Sequence, residues 1–331
     1  MNHPRSSGRL IITSLVCLAL IASALLFVFN RVAITDWVRV QQYQPSAAIA
    51  GLATQAGMSE QGRYFFYTGE PVLEDAGQFN ASCGEHEHST AVLGCYAAQR
   101  IYLFDVQNDE LSGIEEVTAA HETLHAAYER LSADEKRRVN AMITRALPTL
   151  EQNEAFVQRM KVYDDLPEDE RLNELHSVLG TEAASLPAEL ETYYGRYFTD
   201  RTQTTGLYAK YSGVFARLQQ RSEVLAAEYN RLVAQRNALV EGANQEYRQL
   251  EADMATFERG PRTDAEQARA LNARAAAYNS KLDSIRQQTA TYDARLVAIK
   301  TELEQIAIHN QKLNDSIDSR IAVPAEGVHG G

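Results

Sequence analysis

The chain of 331 residues is short of several things, and each shortage excludes a class. It has 8 prolines, 18 glycines and 3 cysteines, which rules out collagen-like and cysteine-stapled architectures. Basic residues are outnumbered: 32 Lys and Arg face 44 Asp and Glu, for a formal charge of -12. A chain that tracks phosphates needs a basic face, so nucleic acid is not an expected partner. Nor does the chain lack apolar residues, at 45% against 23% charged, and this argues against wholesale disorder. The length allows two folded units, or one with an extension. Proline is also unevenly placed: between Glu189 and Val323 the only one is Pro261.

Charge is missing altogether from Leu10 to Phe29, with Arg9 and Arg31 at the borders. Twenty residues rise about 30 Å as a helix, the thickness of a bilayer core. The run therefore predicts an N-terminal transmembrane anchor through which the chain meets a membrane. A cleaved signal peptide is the rival, with Ala22-Ser23-Ala24 as its processing site, but the apolar run continues past it through Phe29. Arg5 and Arg9 before the span slightly outweigh Arg31, Asp36 and Arg39 after it. This places the N-terminus in the cytoplasm and the bulk of the chain outside it, in the periplasm or at the cell surface. Cys83 and Cys95, the only cysteines beyond the span, suit a disulfide in such an oxidising compartment. Reversed orientation, with both thiols free, is the opposing expectation. Metal binding competes for Cys83 as well, because Glu85, His86, Glu87 and His88 follow it, although the spacing fits no zinc knuckle.

Along the rest of the chain, residues 31–60 read as a juxtamembrane segment, helical in part after Pro45. The aromatic and β-branched stretches Arg63–Thr68 and Arg100–Val106 read as strands. From Ile114 the apolar residues recur at helical steps: Ile114, Val117, Leu124, Tyr128 and Leu131. Ser132-Ala133-Asp134-Glu135 reads as a capping box opening a helix to Leu147, and Pro148, Pro167 and Pro187 punctuate further helices up to Phe198. Beyond Gly206, Tyr211, Phe215, Leu218, Leu225, Tyr229, Leu232 and Leu239 keep a seven-residue repeat. A one-step shift follows at Ala243 and Tyr247, and the repeat then resumes through Leu250, Met254 and Phe257. A second heptad stripe runs from Tyr278 to Ile317, with Pro261 at the break between the two. Two helices of about 50 residues predict an antiparallel coiled-coil hairpin about 75 Å long. Self-association or a protein partner would suit it. The expected division is an anchor (1–30), the juxtamembrane segment (31–60), a chemistry-bearing domain (61–205), the hairpin (206–322) and a disordered tail (323–331). The fold class is α+β, mainly α, with a small sheet.

His121-Glu122-Thr123-Leu124-His125 is an HExxH string. On a helix, side chains four apart lie one turn apart on one face, so both imidazoles can reach one zinc ion. Glu122 then stands beside the open coordination position, where it can take a proton from an activated water and hand it to a leaving amine. Both histidines fall on the apolar stripe of the helix. The opposing reading is a pair of core histidines with a surface glutamate, each ring needing a hydrogen-bond partner.

Val117 to Ala127 resembles the active-site helix of zincin metallopeptidases. Tyr128 and Leu131 stand where the metzincin branch has Gly and His, so the resemblance is to the gluzincin type, in which a distant glutamate completes the zinc site. The resemblance implies one zinc ion per chain, a zincin-like domain and a peptide or protein substrate. Glu182 is the first candidate for third ligand, because the helical period puts it on the apolar face of Leu172, Leu175, Val178 and Leu179. Glu174 is the second: Asn173-Glu174-Leu175-His176-Ser177 resembles the N-E-x-x-S string of thermolysin-like enzymes. His176 is the third. Of the tyrosines Tyr193, Tyr194 and Tyr197, Tyr194 and Tyr197 are candidates to donate to an oxyanion, against the plainer reading of core packing.

Two functions follow. One is a membrane-anchored, extracytoplasmic zinc metallopeptidase with Glu122 as general base and acid. The other is a non-enzymatic envelope scaffold or adaptor in which the coiled coil does the work and the zinc fold is structural or degenerate.

Overall fold

A computed structural model describes residues 15, 17–18, 30–83, 93–261 and 264–320. The predicted anchor at 10–29, the acidic and histidine-rich stretch after Cys83 and the tail after 322 lie outside the described residues, apart from Leu15, Cys17 and Leu18. No helix among the described residues is long and apolar enough to cross a membrane.

The architecture is mainly helical with one small sheet. Helix α1 covers residues 30–42. It is followed by α2 (Ala47–Gln55), α3 (Glu60–Thr68), β1 (Val72–Glu74), α4 (Ala76–Cys83), β2 (Gly94–Ala97) and β3 (Arg100–Phe104). Then come α5 (Ile114–Glu129), α6 (Ala133–Leu150), α7 (Glu154–Met160), α8 (Glu168–Thr181), α9 (Ala188–Tyr194), α10 (Arg201–Arg259) and α11 (Ala265–Ile317). The sheet order is β1-β3-β2, with β1 parallel and β2 antiparallel to β3. Ala98 and Gln99 join β2 to β3 with φ of 50° and 63°, the left-handed pair that a two-residue hairpin turn requires.

The expected strand at 100–106 is present, ending at Phe104. The one expected at 63–68 is not: that stretch is helix α3. Ser59 caps it by accepting from the Gly62 N–H, and the cap fixes a helix that buries Phe66 while Phe65 and Tyr67 lie half-buried against the same core. Propensity favours aromatic residues in strands, and here the cap and the packing face override it. The capping box at Ser132 and Glu135 is formed as read, although α6 continues past Leu147, through Pro148, to Leu150. Pro167 stands at the N-cap of α8, ahead of an acidic first turn.

The chain divides into two compact units, Met1–Ser212 with Asn314–Gly331, and Gly213–Leu313. The boundary expected at residue 61 is therefore displaced. Ile49, Leu52, Ala53, Ala56 and Met58 pack into the same core as Leu103, Leu124, Leu179 and Tyr194, so residues 47–58 supply core side chains to the first unit. The second unit begins later than 206 and ends earlier than 322, because Thr204 and Thr205 are buried in the first unit and Asn80 bonds both backbone and side chain of Ser319.

The second unit is an antiparallel hairpin. Leu225, Leu232 and Ile299 form one buried cluster, and Leu250, Leu271 and Tyr278 another. Flanking ion pairs join Glu228 to Arg295, Glu246 to Lys281 and Asp253 to Arg274. The expected shift in the repeat does not occur. Ala243 and Leu250 are buried and Phe257 partly so, continuing the spacing of Tyr229, whereas Tyr247 (46% exposed) packs its ring on Tyr278 from the edge of the seam and Met254 is exposed.

Candidate metal site

Helix α5 is surrounded by protein. Ile114, Val117, Leu124 and Tyr128 are buried as expected, and so are Ala119, Ala120, Ala126 and Ala127 on its other sides. A helix buried on nearly every side, polar residues Glu116, Thr118, Glu122, Thr123 and His125 included, stands in the centre of its domain. Its small alanines let neighbours come close, and α8 packs along it. Gly180 of α8 is where the two meet: a Cβ there would lie 2.3 Å from Cδ1 of the fully buried Leu124. That approach brings the preceding turns of α8 alongside His121 and His125.

The residue delivered is Glu174. Its Oε2 lies 3.5 Å from His121 Nε2, and its Oε1 lies 3.5 Å from His125 Nε2. The two rings stand edge to face at 4.8 Å between centroids. One ligand atom from each of His121, His125 and Glu174 lies within 4.8 Å of the others. Tetrahedral zinc with bonds of about 2.0–2.1 Å holds its ligand atoms roughly 3.3 Å apart; each imidazole is 3.5 Å from a different oxygen of Glu174, and spacings of up to 4.8 Å close when one atom of each binds. Two imidazoles and a carboxylate are also a zinc-type donor set.

Glu182, the first candidate, is not at this centre. It caps the end of α8, where Arg159 donates to both its oxygens at 3.0 and 3.1 Å. The helical-face argument located a buried side of α8 correctly but chose the wrong one. Glu182 falls about 80° round the helix from Glu174, and only the side bearing Glu174 meets the two histidines. His176 is not there either. It is fully buried among tyrosines, with Nε2 2.8 Å from the Tyr193 hydroxyl, and burial drives its pKa down to about 3. Tyr194 and Tyr197 belong to the same cluster. Tyr194 donates to the His176 carbonyl at 2.7 Å, and the Tyr197 hydroxyl faces that of Tyr193 at 3.3 Å. Both side chains are buried, with hydroxyls engaged inside this cluster, an arrangement that matches the plainer reading of core packing.

Cys83 and Cys95 form the expected disulfide, with Cα atoms 6.0 Å apart. It ties the end of α4 to β2 on the sheet side of α5. There Gly94 comes so close that a Cβ would meet the Glu122 side chain at 3.0 Å and Thr118 Cγ2 at 2.5 Å. Backbone of β2 therefore lies directly against the glutamate of the motif.

Burial and neighbouring charge set the electrostatics. Glu122 is raised to about 7, by burial first, with His121 opposing and Glu174 adding. Burial lowers His125 to about 4, against the pull of Glu174. Burial would also lower His121, but the hydrogen bond to Glu174 and the charges of Glu122 and Glu174 carry it upward. Glu174 is held down to about 2: burial works upward and is outweighed by His125 and by the hydrogen bond to His121. A carboxylate kept ionised beside a neutral imidazole suits a metal ligand, whereas Glu122 is poised to exchange a proton.

Two supporting residues went unnoticed in the sequence. Tyr163 hydrogen-bonds Glu174 and accepts from Arg159 at 3.2 Å. Nothing in the local sequence marks this tyrosine, which sits in a single helical turn after α7. Asn173 stands beside His125, with its side-chain oxygen buried and without a hydrogen-bond partner among the described residues. Its place next to Glu174 in the N-E-x-x-S string was the available signal. Comparisons with protein-family models, curated proteins and solved structures find no match for this chain.

Proposed function

We propose that this protein is a membrane-anchored, extracytoplasmic zinc metallopeptidase, with His121, His125 and Glu174 holding one zinc ion. The observation that carries the reading is the convergence of both motif histidines and a distant glutamate within 4.8 Å, with Glu122 beside them yet outside the ligand set. Bound zinc would polarise a peptide carbonyl and acidify water. Glu122 supplies the proton traffic: its carboxylate accepts a proton from the attacking water and delivers it to the leaving nitrogen. Glu174 stays ionised throughout, kept so by the two imidazoles and Tyr163. The neighbouring β2 backbone confines Glu122 to one side of the site.

The alternative, a scaffold with a structural zinc, calls for a closed site with four protein ligands. Among the described residues the group numbers three, and Glu122 remains available. This favours hydrolysis. The uncharged run at 10–29 and the Cys83–Cys95 disulfide support the anchored, oxidising location.

Glu122→Gln tests the mechanism. It should leave zinc stoichiometry at one per chain and lower peptide hydrolysis by about 10²–10⁴ or more. Undiminished hydrolysis by that variant would refute the role of Glu122.

A further inference from the structure

Helix α1 is amphipathic the wrong way round. Its buried side carries a charge: Asp36 is 4% exposed and takes two hydrogen bonds from Arg130, at 2.7 and 2.8 Å. Arg130 also donates to the Tyr96 hydroxyl and to the Ala126 carbonyl, so the pair is fully partnered. On the same side Arg39 donates to the Gln99 carbonyl at 3.2 Å. The outer side carries exposed apolar residues. Ile34 (40%), Trp37 (59%) and Val38 (36%) lie about 100–200° round the helix from Asp36, with exposed Arg31 and Gln41 beside them, and Val32, about 40° from Asp36, is exposed as well. A surface helix in water has the opposite arrangement. Single exposed apolar residues are ordinary, but a stripe of them marks a covered face.

We infer that α1 lies against the bilayer surface, with Ile34, Trp37 and Val38 in the headgroup region. This rests on the membrane-anchored reading above. The uncharged run ends at Phe29, directly before the first described residue of α1. At 1.5 Å per residue Trp37 is therefore within about 12 Å of the hydrocarbon edge, and an oblique helix brings it into the headgroup layer, roughly 5–8 Å thick. Tryptophan favours that layer, because its ring is apolar and its N–H finds acceptors there. Arg31, exposed on the outer side, is placed to meet lipid phosphate.

The consequence concerns substrate. Arg130 caps α5, so the Asp36–Arg130 pair clamps the surface-bound helix to the one that carries His121 and His125. The site is thereby held near the bilayer. Its substrates are membrane-proximal segments of other membrane-attached polypeptides.

Trp37 is the only tryptophan, so its fluorescence reports on this face alone. The full chain would be reconstituted into phosphatidylcholine–phosphatidylglycerol vesicles, with alkaline carbonate extraction as the measure of anchoring. Lipids brominated near the headgroup should quench Trp37 more than lipids brominated at the chain end. Collisional quenching by aqueous acrylamide should be roughly twofold or more weaker than for free tryptophan. Ile34→Ser with Val38→Ser, which leaves Asp36 and Arg130 in place, should restore acrylamide access. Retention in the vesicles without bromolipid quenching would overturn this inference alone. In that event, full acrylamide access would indicate a bare face, and shielding would indicate a protein cover such as a second copy. Extraction by carbonate would overturn the anchored reading together with it.

Discussion

Two kinds of long helix make up this molecule, and they stabilise it differently. Helix α5 buries 13 of its 16 residues, alanines and polar groups among them, because α3, the sheet and α8 close around it. The helices of the hairpin unit bury a single seam and leave the rest to solvent, with ion pairs along the flanks. A surrounded helix has fixed neighbours on every side, so its two imidazoles and the Glu174 carboxylate of α8 are held within 4.8 Å of one another. A seam gives graded, local stability and a long exposed surface, with no comparable enclosure for chemistry. The lesson is that enclosure, more than helix length or regularity, makes a place for reactive groups.

The sharpest way to break this comparison is at the metal ligands. Glu174→Ala should weaken zinc binding by more than the about 10–100-fold typical of losing an outer-shell partner, whereas Glu182→Ala should leave zinc affinity largely intact; competition with a chromogenic chelator measures both. If the two variants behaved in the opposite way, the centre assigned here would be wrong. Next in size is the seam. Leu232→Ala should cost about 2–5 kcal/mol in the hairpin while zinc affinity stays unchanged, as read by chemical denaturation alongside zinc titration.

A smaller effect is expected where α5 meets α8. Gly180→Ala should cost about 1–3 kcal/mol, since the new methyl group meets a leucine that the core prevents from moving. Unlike the seam substitution it should also reduce zinc affinity, because it shifts the helix that carries Glu174. The smallest effect is a pH slope from Glu115, raised to about 7 by burial first and by the charge of Asp105 and Glu116, against a hydrogen bond from the Val106 N–H. A folded pKa above the unfolded value means stability is fully present below about pH 4.5 and declines as pH rises through 7. Glu115→Gln should flatten that slope in thermal melts taken from pH 4.5 to 8.

Much of the framework was legible in the chain. The stripe from Ile114 to Tyr128 declares α5, the capping box opens α6, and heptads with Pro261 at their break outline the hairpin, since each depends on neighbours within a few turns. The disulfide was legible too, with only two cysteines available beyond the apolar run. Less legible were α3, whose aromatic residues suggested a strand until Ser59 capped a helix, and the β2–β3 hairpin, whose Ala98-Gln99 turn lacks the usual glycine and asparagine signals. The inverted helix α1 was hidden altogether, because its polarity has meaning only once Asp36 is seen against Arg130.

The sequence by itself determined that two imidazoles stand on one helical face with a glutamate between them, because a fixed 3.6-residue period settles that spacing. Only the tertiary structure decided which carboxylate joins them. Glu174 and Glu182 sit two turns apart on one helix, and both find charged partners. The close crossing at Gly180 turns the side bearing Glu174 toward the histidines and leaves Glu182 to Arg159. Helical period fixes direction within an element, but contact between elements depends on packing distances set by residues far apart in the chain.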